Sequence, residues 1–239
     1  MKQIRIIFVF IALLLSTKID AQKIYLVSVG VSDYPGVKND LLLPAKDAQD
    51  IYHLYKTNAD ATSVLLLNSD AEKSRIVYES VKLFSNAEQD DIVVLFFAGH
   101  GDKGGFYTYD AFLTYEDIRV LFSGCKARNK YLFTDACHSG DIRDNTCART
   151  NDPENNILFF LSSRGSETSL ENRSMKNGIF TTCLLRSLKG GADIDRDRVI
   201  TAKELYTAVS TGVIKMSKGR QHPIMWGNFD DSMPVMIWK

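Results

Sequence analysis

The sequence has no excess of charge: 29 Lys and Arg stand against 29 Asp and Glu. That argues against a nucleic-acid binder held by phosphate contacts. It has no apolar run of the ~20 residues a bilayer span requires. The longest, Ile6 to Leu15 (IIFVFIALLL), is ten residues. There is no internal repeat and no compositional bias, which excludes collagen-like, coiled-coil and low-complexity chains. Cysteines and histidines never pair at zinc-ligand spacing, and no glycine-rich phosphate loop is present. What is there is globular arithmetic. The 239 residues are 45% hydrophobic and 24% charged, enough for one core of medium size.

The first residues read as an address. Lys2 and Arg5 precede the apolar run, a more polar stretch Ser16–Asp20 follows, and Ala21-Gln22 closes it. This is the layout of a secretory signal peptide. It predicts cleavage after Ala21, a mature domain over 22–239 with no stable membrane span, and a periplasmic or extracellular protein. An uncleaved anchor is the alternative. Export permits disulfides among Cys125, Cys137, Cys147 and Cys183, and four cysteines allow three pairings. Cys125 and Cys183 read as small buried hydrophobes.

Along the mature chain, strand patterns alternate with helical ones. Strands are predicted at Ile24–Val31, Ser63–Leu67, Asp91–Ala98, Lys130–Thr134, Ile157–Ser162 and Pro234–Trp238. Helices are predicted at Ala45–Lys56, Glu72–Phe84, Tyr115–Phe122, Gly178–Leu188 and Ala202–Ile214. For the second helix the expected N-cap is Ser69 or Asp70, with Ile76, Val77, Val81 and Phe84 on the inner face. Lys103–Leu113 reads as a β excursion, Asp141–Asn156 as a polar loop, and QHPIMWG (Gln221–Gly227) as a loop leading to the last strand. The alternation predicts an α/β/α sandwich around a mostly parallel sheet.

Two of these strands end in residues that carry chemistry. LFFAGHG finishes at His100-Gly101, and YLFTDACHSG passes through Asp135, Cys137 and His138. In an open parallel sheet, ligands bind beyond the carboxyl ends of the strands. If these two strands are neighbours, His100 and Cys137 meet there. A thiol with a pKa of about 8.5 becomes a strong nucleophile once an imidazole takes its proton. The same imidazole can then protonate a leaving amine. His138 is a poorer base for Cys137, because adjacent side chains on an extended segment point apart. Gly101, without a β-carbon, lets backbone N–H groups approach an oxyanion.

These blocks resemble the caspase and metacaspase clan, and most closely bacterial caspase-like peptidases of the metacaspase type. The resemblance runs through the opening strand, Lys46-Asp47-Ala48, Ala98–Gly101, Asp135–Gly140, Ser162–Asn172 and Asn177–Thr181. It implies a cysteine endopeptidase with Cys137 as nucleophile, His100 as base and an oxyanion hole at the N–H groups of Gly101 and Cys137. It also implies that Asp47 and Asp135 line the S1 pocket, which suits Arg, and secondarily Lys, at P1. Ala45, Lys46 and Ala98 depart from the metacaspase pattern around that pocket. In the family the polar segment after the nucleophile is often cut; here it holds Arg143 and Arg149, and an uncut loop is the equal alternative.

Asp193, Asp195, Asp197 and Glu204 fall at positions 1, 3, 5 and 12 of an EF-hand-like frame, DIDRDRVITAKE. Arg198 stands where that frame wants glycine. The competing reading is that Thr201 and Glu204 form a capping box for the last helix. The dyad itself requires no cofactor; calcium is an option of this frame. The expected partner is a peptide or protein with a basic P1 residue. The alternatives are another P1 choice on the same dyad, or a secreted non-catalytic binding module.

Overall fold

The structure is a computed structural model that describes residues 22–136, 157–163, 175–227 and 229–239. Its centre is a six-stranded sheet in the order β10-β8-β7-β3-β1-β2. The strands are β1 (Ile24–Gly30), β2 (Ala61–Leu67), β3 (Ile92–Gly99), β7 (Asn129–Ala136), β8 (Ile157–Leu161) and β10 (Ile224–Trp226). All pairings are parallel except that of β10 with β8. A short antiparallel sheet of β4 (Gly101–Asp102), β5 (Gly105–Tyr107) and β6 (Phe112–Thr114) follows β3, and β9 (Val199–Thr201) pairs with β11 (Pro234–Ile237).

The near-continuous apolar run of β3 has a direct explanation. Ile92, Val94, Phe96 and Ala98 enter one core, while Val93, Leu95 and Phe97 enter the other. Successive side chains of a strand point to opposite faces, so a strand covered twice must be apolar throughout. One face is covered by α1 (Pro44–Lys56), α4 (Ile179–Arg186) and α5 (Ala202–Met216). The other is covered by α2 (Lys73–Phe84) and α3 (Tyr115–Ser123). The result is the expected three-layer α/β/α sandwich.

Several local expectations are corrected. Ser69 and Asp70 do not cap α2. They lie in a 3-10 turn, Asn68–Asp70, and the N–H of Lys73 donates instead to the carboxylate of Asp110, 2.8 Å away on the turn between β5 and β6. A partner distant in sequence thus replaces the local cap. On α2 the inward row is Ile76, Ser80 and Phe84, and Val81 is 45% exposed. The QHPIMWG segment contains β10, which forms an edge of the sheet, whereas the last strand, β11, leaves the main sheet to pair with β9. Short antiparallel edges of this kind carry little apolar periodicity. The fourth helix ends earlier than predicted, in a π turn over Ser187–Gly191 that Gly190 closes at φ +103°. Residues 1–21, on which the signal-peptide expectation falls, lie outside the described residues. Among the described residues no helix is long and apolar enough to cross a membrane.

Phe160 joins three elements of the first core, touching Phe133 of β7, Phe180 of α4 and Tyr206 of α5 at centroid distances of 6.2, 5.1 and 5.8 Å. Phe160→Ala is expected to lower unfolding free energy by about 3–5 kcal/mol, read from urea denaturation. A loss below about 1 kcal/mol contradicts this packing.

Candidate active site at the carboxyl edge of the sheet

β3 and β7 are neighbours, paired in parallel with Ala98 opposite Asp135 and Gly99 opposite Ala136. The residues that follow that last pair are His100 and Cys137. Cys137, with His138, Arg143, Cys147 and Arg149, lies outside the described residues. The surroundings of His100 are well defined.

His100 is half-buried and held at three points. Its backbone N–H donates to the Tyr34 hydroxyl at 2.8 Å. That hydroxyl in turn donates to the carbonyl of Tyr107 on β5, at 3.0 Å. The Tyr34 ring lies against the imidazole with centroids 4.8 Å apart. Gly99 makes this approach feasible, because a β-carbon there would sit 2.6 Å from the Tyr34 hydroxyl. Burial pushes the Tyr34 hydroxyl above its ordinary pKa, against the lowering effect of the His100 N–H. It stays a neutral donor.

The third point fixes the tautomer. Nε2 of His100 lies 2.8 Å from the carbonyl oxygen of Asn39. A carbonyl only accepts, so Nε2 carries the hydrogen and Nδ1 is the basic nitrogen of the neutral ring. The arrangement supplies a base whose proton-accepting atom is defined by a main-chain contact. Asn39 is itself held in a turn, its N–H donating to the Gly36 carbonyl at 3.0 Å.

On the other face of the sheet, the structure brings Asp47 and Asp135 together. Asp47 is 2% exposed in the first turn of α1, and Asp135 is 8% exposed near the end of β7. They meet at the N-terminus of α4. The N–H of Gly178 donates to both carboxylate oxygens of Asp47, at 3.1 and 3.3 Å. The N–H and hydroxyl of Thr181 donate to Oδ2 of Asp135, at 3.1 and 2.8 Å. Gly178 is required by space, since a β-carbon there would collide with Oδ2 of Asp135 and stand 3.2 Å from Oδ2 of Asp47. The first N–H groups of a helix and its dipole favour negative charge, so the arrangement stabilises two anionic carboxylates. Lys46 turns outward and pairs with Asp50, leaving Asp47 to face the sheet edge.

The other predicted positions divide. Ligand oxygens of Asp193, Asp195 and Asp197 lie within 4.8 Å of one another. Glu204 is occupied as a cap: its carboxylate accepts from the N–H and hydroxyl of Thr201 at 3.0 and 2.7 Å and from the N–H of Ile194 at 3.1 Å. The capping box is therefore formed. Arg198 takes a positive φ of 71°, and its N–H donates to Asp193 at 3.2 Å. Cys125 and Cys183 are buried and unpaired with each other, as expected. Burial raises both thiol pKa values, that of Cys183 to about 11, so neither is primed as a nucleophile.

The contacts of Tyr34, Asn39, Gly178 and Thr181 with the candidate site were not readable from the residues alone. Asn39 acts through its main chain and has no side-chain signature. Tyr34 had one usable signal: it is an aromatic just beyond the carboxyl end of β1, where ligand sites gather.

The His100 assignment has a direct test. Two-bond ¹H–¹⁵N spectra of the neutral ring should show the hydrogen on Nε2 and the lone pair on Nδ1. A dominant Nδ1–H form contradicts it.

Comparison with known proteins agrees with this geometry. A caspase-domain family model, that of peptidase C14, matches residues 25–232. Among solved structures, protein GSU0716 from Geobacter sulfurreducens superposes with a TM-score of 0.68 at 17% identity, covering 91% of this chain and 100% of that one. Caspase-1 from Spodoptera frugiperda superposes with a TM-score of 0.65 at 16% identity, covering 86% of each chain. No curated protein matches. At these identities the structural likeness establishes the fold, and the family model, spanning most of the chain, establishes the kinship: the chain belongs to the caspase-domain family.

Proposed function

We propose that this protein is an exported cysteine endopeptidase that cleaves after a basic residue, with Cys137 as nucleophile and His100 as base. Membership of the caspase-domain family supports cysteine-peptidase chemistry on protein substrates. Export rests on the layout of residues 1–21. The observation that carries the specificity is the meeting of Asp47 and Asp135 at Gly178, on the strand edge that also holds His100. Two carboxylates gathered at one point of the sheet edge make a locally anionic surface that attracts a cationic side chain. A guanidinium matches such a surface by charge and by paired hydrogen bonds.

The chemistry follows from the tautomer. Nδ1 of His100 takes the Cys137 proton, and the thiolate adds to the scissile carbonyl. The N–H groups of Gly101 and Cys137 receive the oxyanion. While the ring is cationic, the Nε2–H bond to the Asn39 carbonyl becomes charge-assisted and steadies the imidazolium. The ring then passes its proton to the leaving amine as the C–N bond breaks, leaving a thioester. Water, deprotonated by the same nitrogen, attacks the thioester, and the C–S bond breaks to restore the thiol. No metal is needed in any step.

The test is hydrolysis of fluorogenic peptides ending in Arg, Lys, Asp or Ala, under reductant, beside Cys137→Ala. Cleavage after Arg, then Lys, that vanishes in the variant is expected. Asp135→Asn should cost about ten- to a hundredfold in kcat/KM on the Arg peptide, the range of a charged hydrogen bond. Cleavage after Asp overturns the pocket assignment. No cleavage in any lane favours the non-catalytic binding module.

A cut within residues 141–156 is the second part of the proposal, supported by Arg143 and Arg149 in that polar stretch. Replacing both by Ala should keep the purified chain intact and lower its activity. Unchanged chain length and activity would sink this part.

A further inference from the structure

A cavity of about 670 Å³ opens beside His100 on the face of the sheet opposite the Asp47–Asp135 pair. The two faces are distinguished by the strands themselves. Asp135 shares its side of β7 with Tyr131 and Phe133, which pack into the core under α1 and α4. Tyr34, Phe106 and Leu113 belong to the core on the other side. His100 stands between them at the carboxyl edge and lines the cavity.

The lining has a definite chemistry. The rings of Tyr107 and Phe112 lie 4.9 Å apart, and Tyr107 is 43% exposed. Asp102 and Asp110 add two carboxylates, and among the described residues no Lys or Arg lines the cavity. The ammonium of Lys73, whose backbone N–H holds Asp110, is engaged by Asp117 at 2.7 Å and the Phe112 carbonyl at 3.1 Å. Oδ1 of Asp110 accepts from the N–H of Lys73 and the Thr108 hydroxyl, and Oδ1 of Asp102 accepts from the N–H of Lys103. Both carboxylates are thereby oriented by main-chain donors, as in a preformed wall.

We propose that this cavity binds the substrate residue on the leaving-group side of the scissile bond, and that it favours a cationic side chain there. The inference rests on the peptidase reading for the orientation of the peptide. If the acyl-side residue is drawn to Asp47 and Asp135, the chain crosses the sheet edge at His100. The residue whose amine His100 protonates then falls on the cavity side. An aliphatic stem over Tyr107 and Phe112 is shielded from water, and its charged head reaches Asp102 and Asp110. The enzyme would thus select pairs of basic residues and cut between them.

The experiment uses quenched peptides with Arg at P1 and Lys, Ala, Phe or Glu at P1′. Lys should exceed Ala by about tenfold in kcat/KM, with Glu lowest, the scale of one desolvated cation on aromatic rings and carboxylates. Asp102→Asn and Tyr107→Ala should each flatten the Lys-over-Ala ratio. Equal rates for Lys, Ala and Glu, or a ratio untouched by both variants, overturn the proposal. A second readout is independent of turnover. Acetyl-Lys-Gly-amide is titrated into the Cys137→Ala protein, and shifts of the Tyr107 and Phe112 ring resonances are compared with those from acetyl-Glu-Gly-amide. Shifts by the lysine peptide alone support the subsite even where no peptide is cleaved, which would refute only the peptidase reading. Absence of shifts refutes the subsite even in an active enzyme.

Discussion

The parallel pairing of β3 with β7 is the constraint on which the rest of the molecule depends. Both strands are buried along their whole length, so neither can carry exposed chemistry in its body. Polar function is displaced to the last residues, where the sheet ends and water begins. Register then does the positioning: with Gly99 opposite Ala136, the two chains leave the sheet side by side, and His100 follows directly on one of them. A slip of one residue would turn Asp135 to the opposite face and separate it from Asp47.

Around that edge the sheet keeps two tasks apart. One face presents negative charge, fixed by the start of α4. The other presents aromatic rings on the small sheet that follows β3. His100 is held from the aromatic side, by the Tyr34 ring and hydroxyl, by the Tyr107 N–H on its carbonyl, and by the Asn39 carbonyl at Nε2. Tyr34 is the joint, since its hydroxyl ties the strand end to β5. Rigid support of this kind is what a reactive group needs to remain in one geometry.

Much of this was legible in the sequence where a strong physical rule applied. Continuous apolarity identified β3 as doubly covered, and Thr201 with Glu204 identified a cap before any coordinates. The Asp47 and Asp135 pairing came from the resemblance to a family; no spacing rule would join residues so distant in sequence. What remained hidden depended on tertiary contact. Asp110 caps a helix 37 positions away, which no local pattern encodes. Ile224–Trp226 is too short to show strand periodicity and becomes a strand because β8 offers it an edge. Gly178 has an ordinary place before a helix, and its necessity appears only when two carboxylates are seen against its bare α-carbon.

The hold on His100 through the Asn39 carbonyl has a consequence for how such a protein tolerates change. That oxygen belongs to every amino acid, so replacing the side chain at 39 leaves it in place. Alanine scanning is blind to it. The support is vulnerable instead through the neighbours that shape the segment: Asp40, which accepts from the Tyr34 N–H at 3.2 Å, and the Leu41 N–H, which donates to the Ser32 carbonyl at 2.9 Å. Variation there can release His100 from this hold while His100 and Asn39 are both retained.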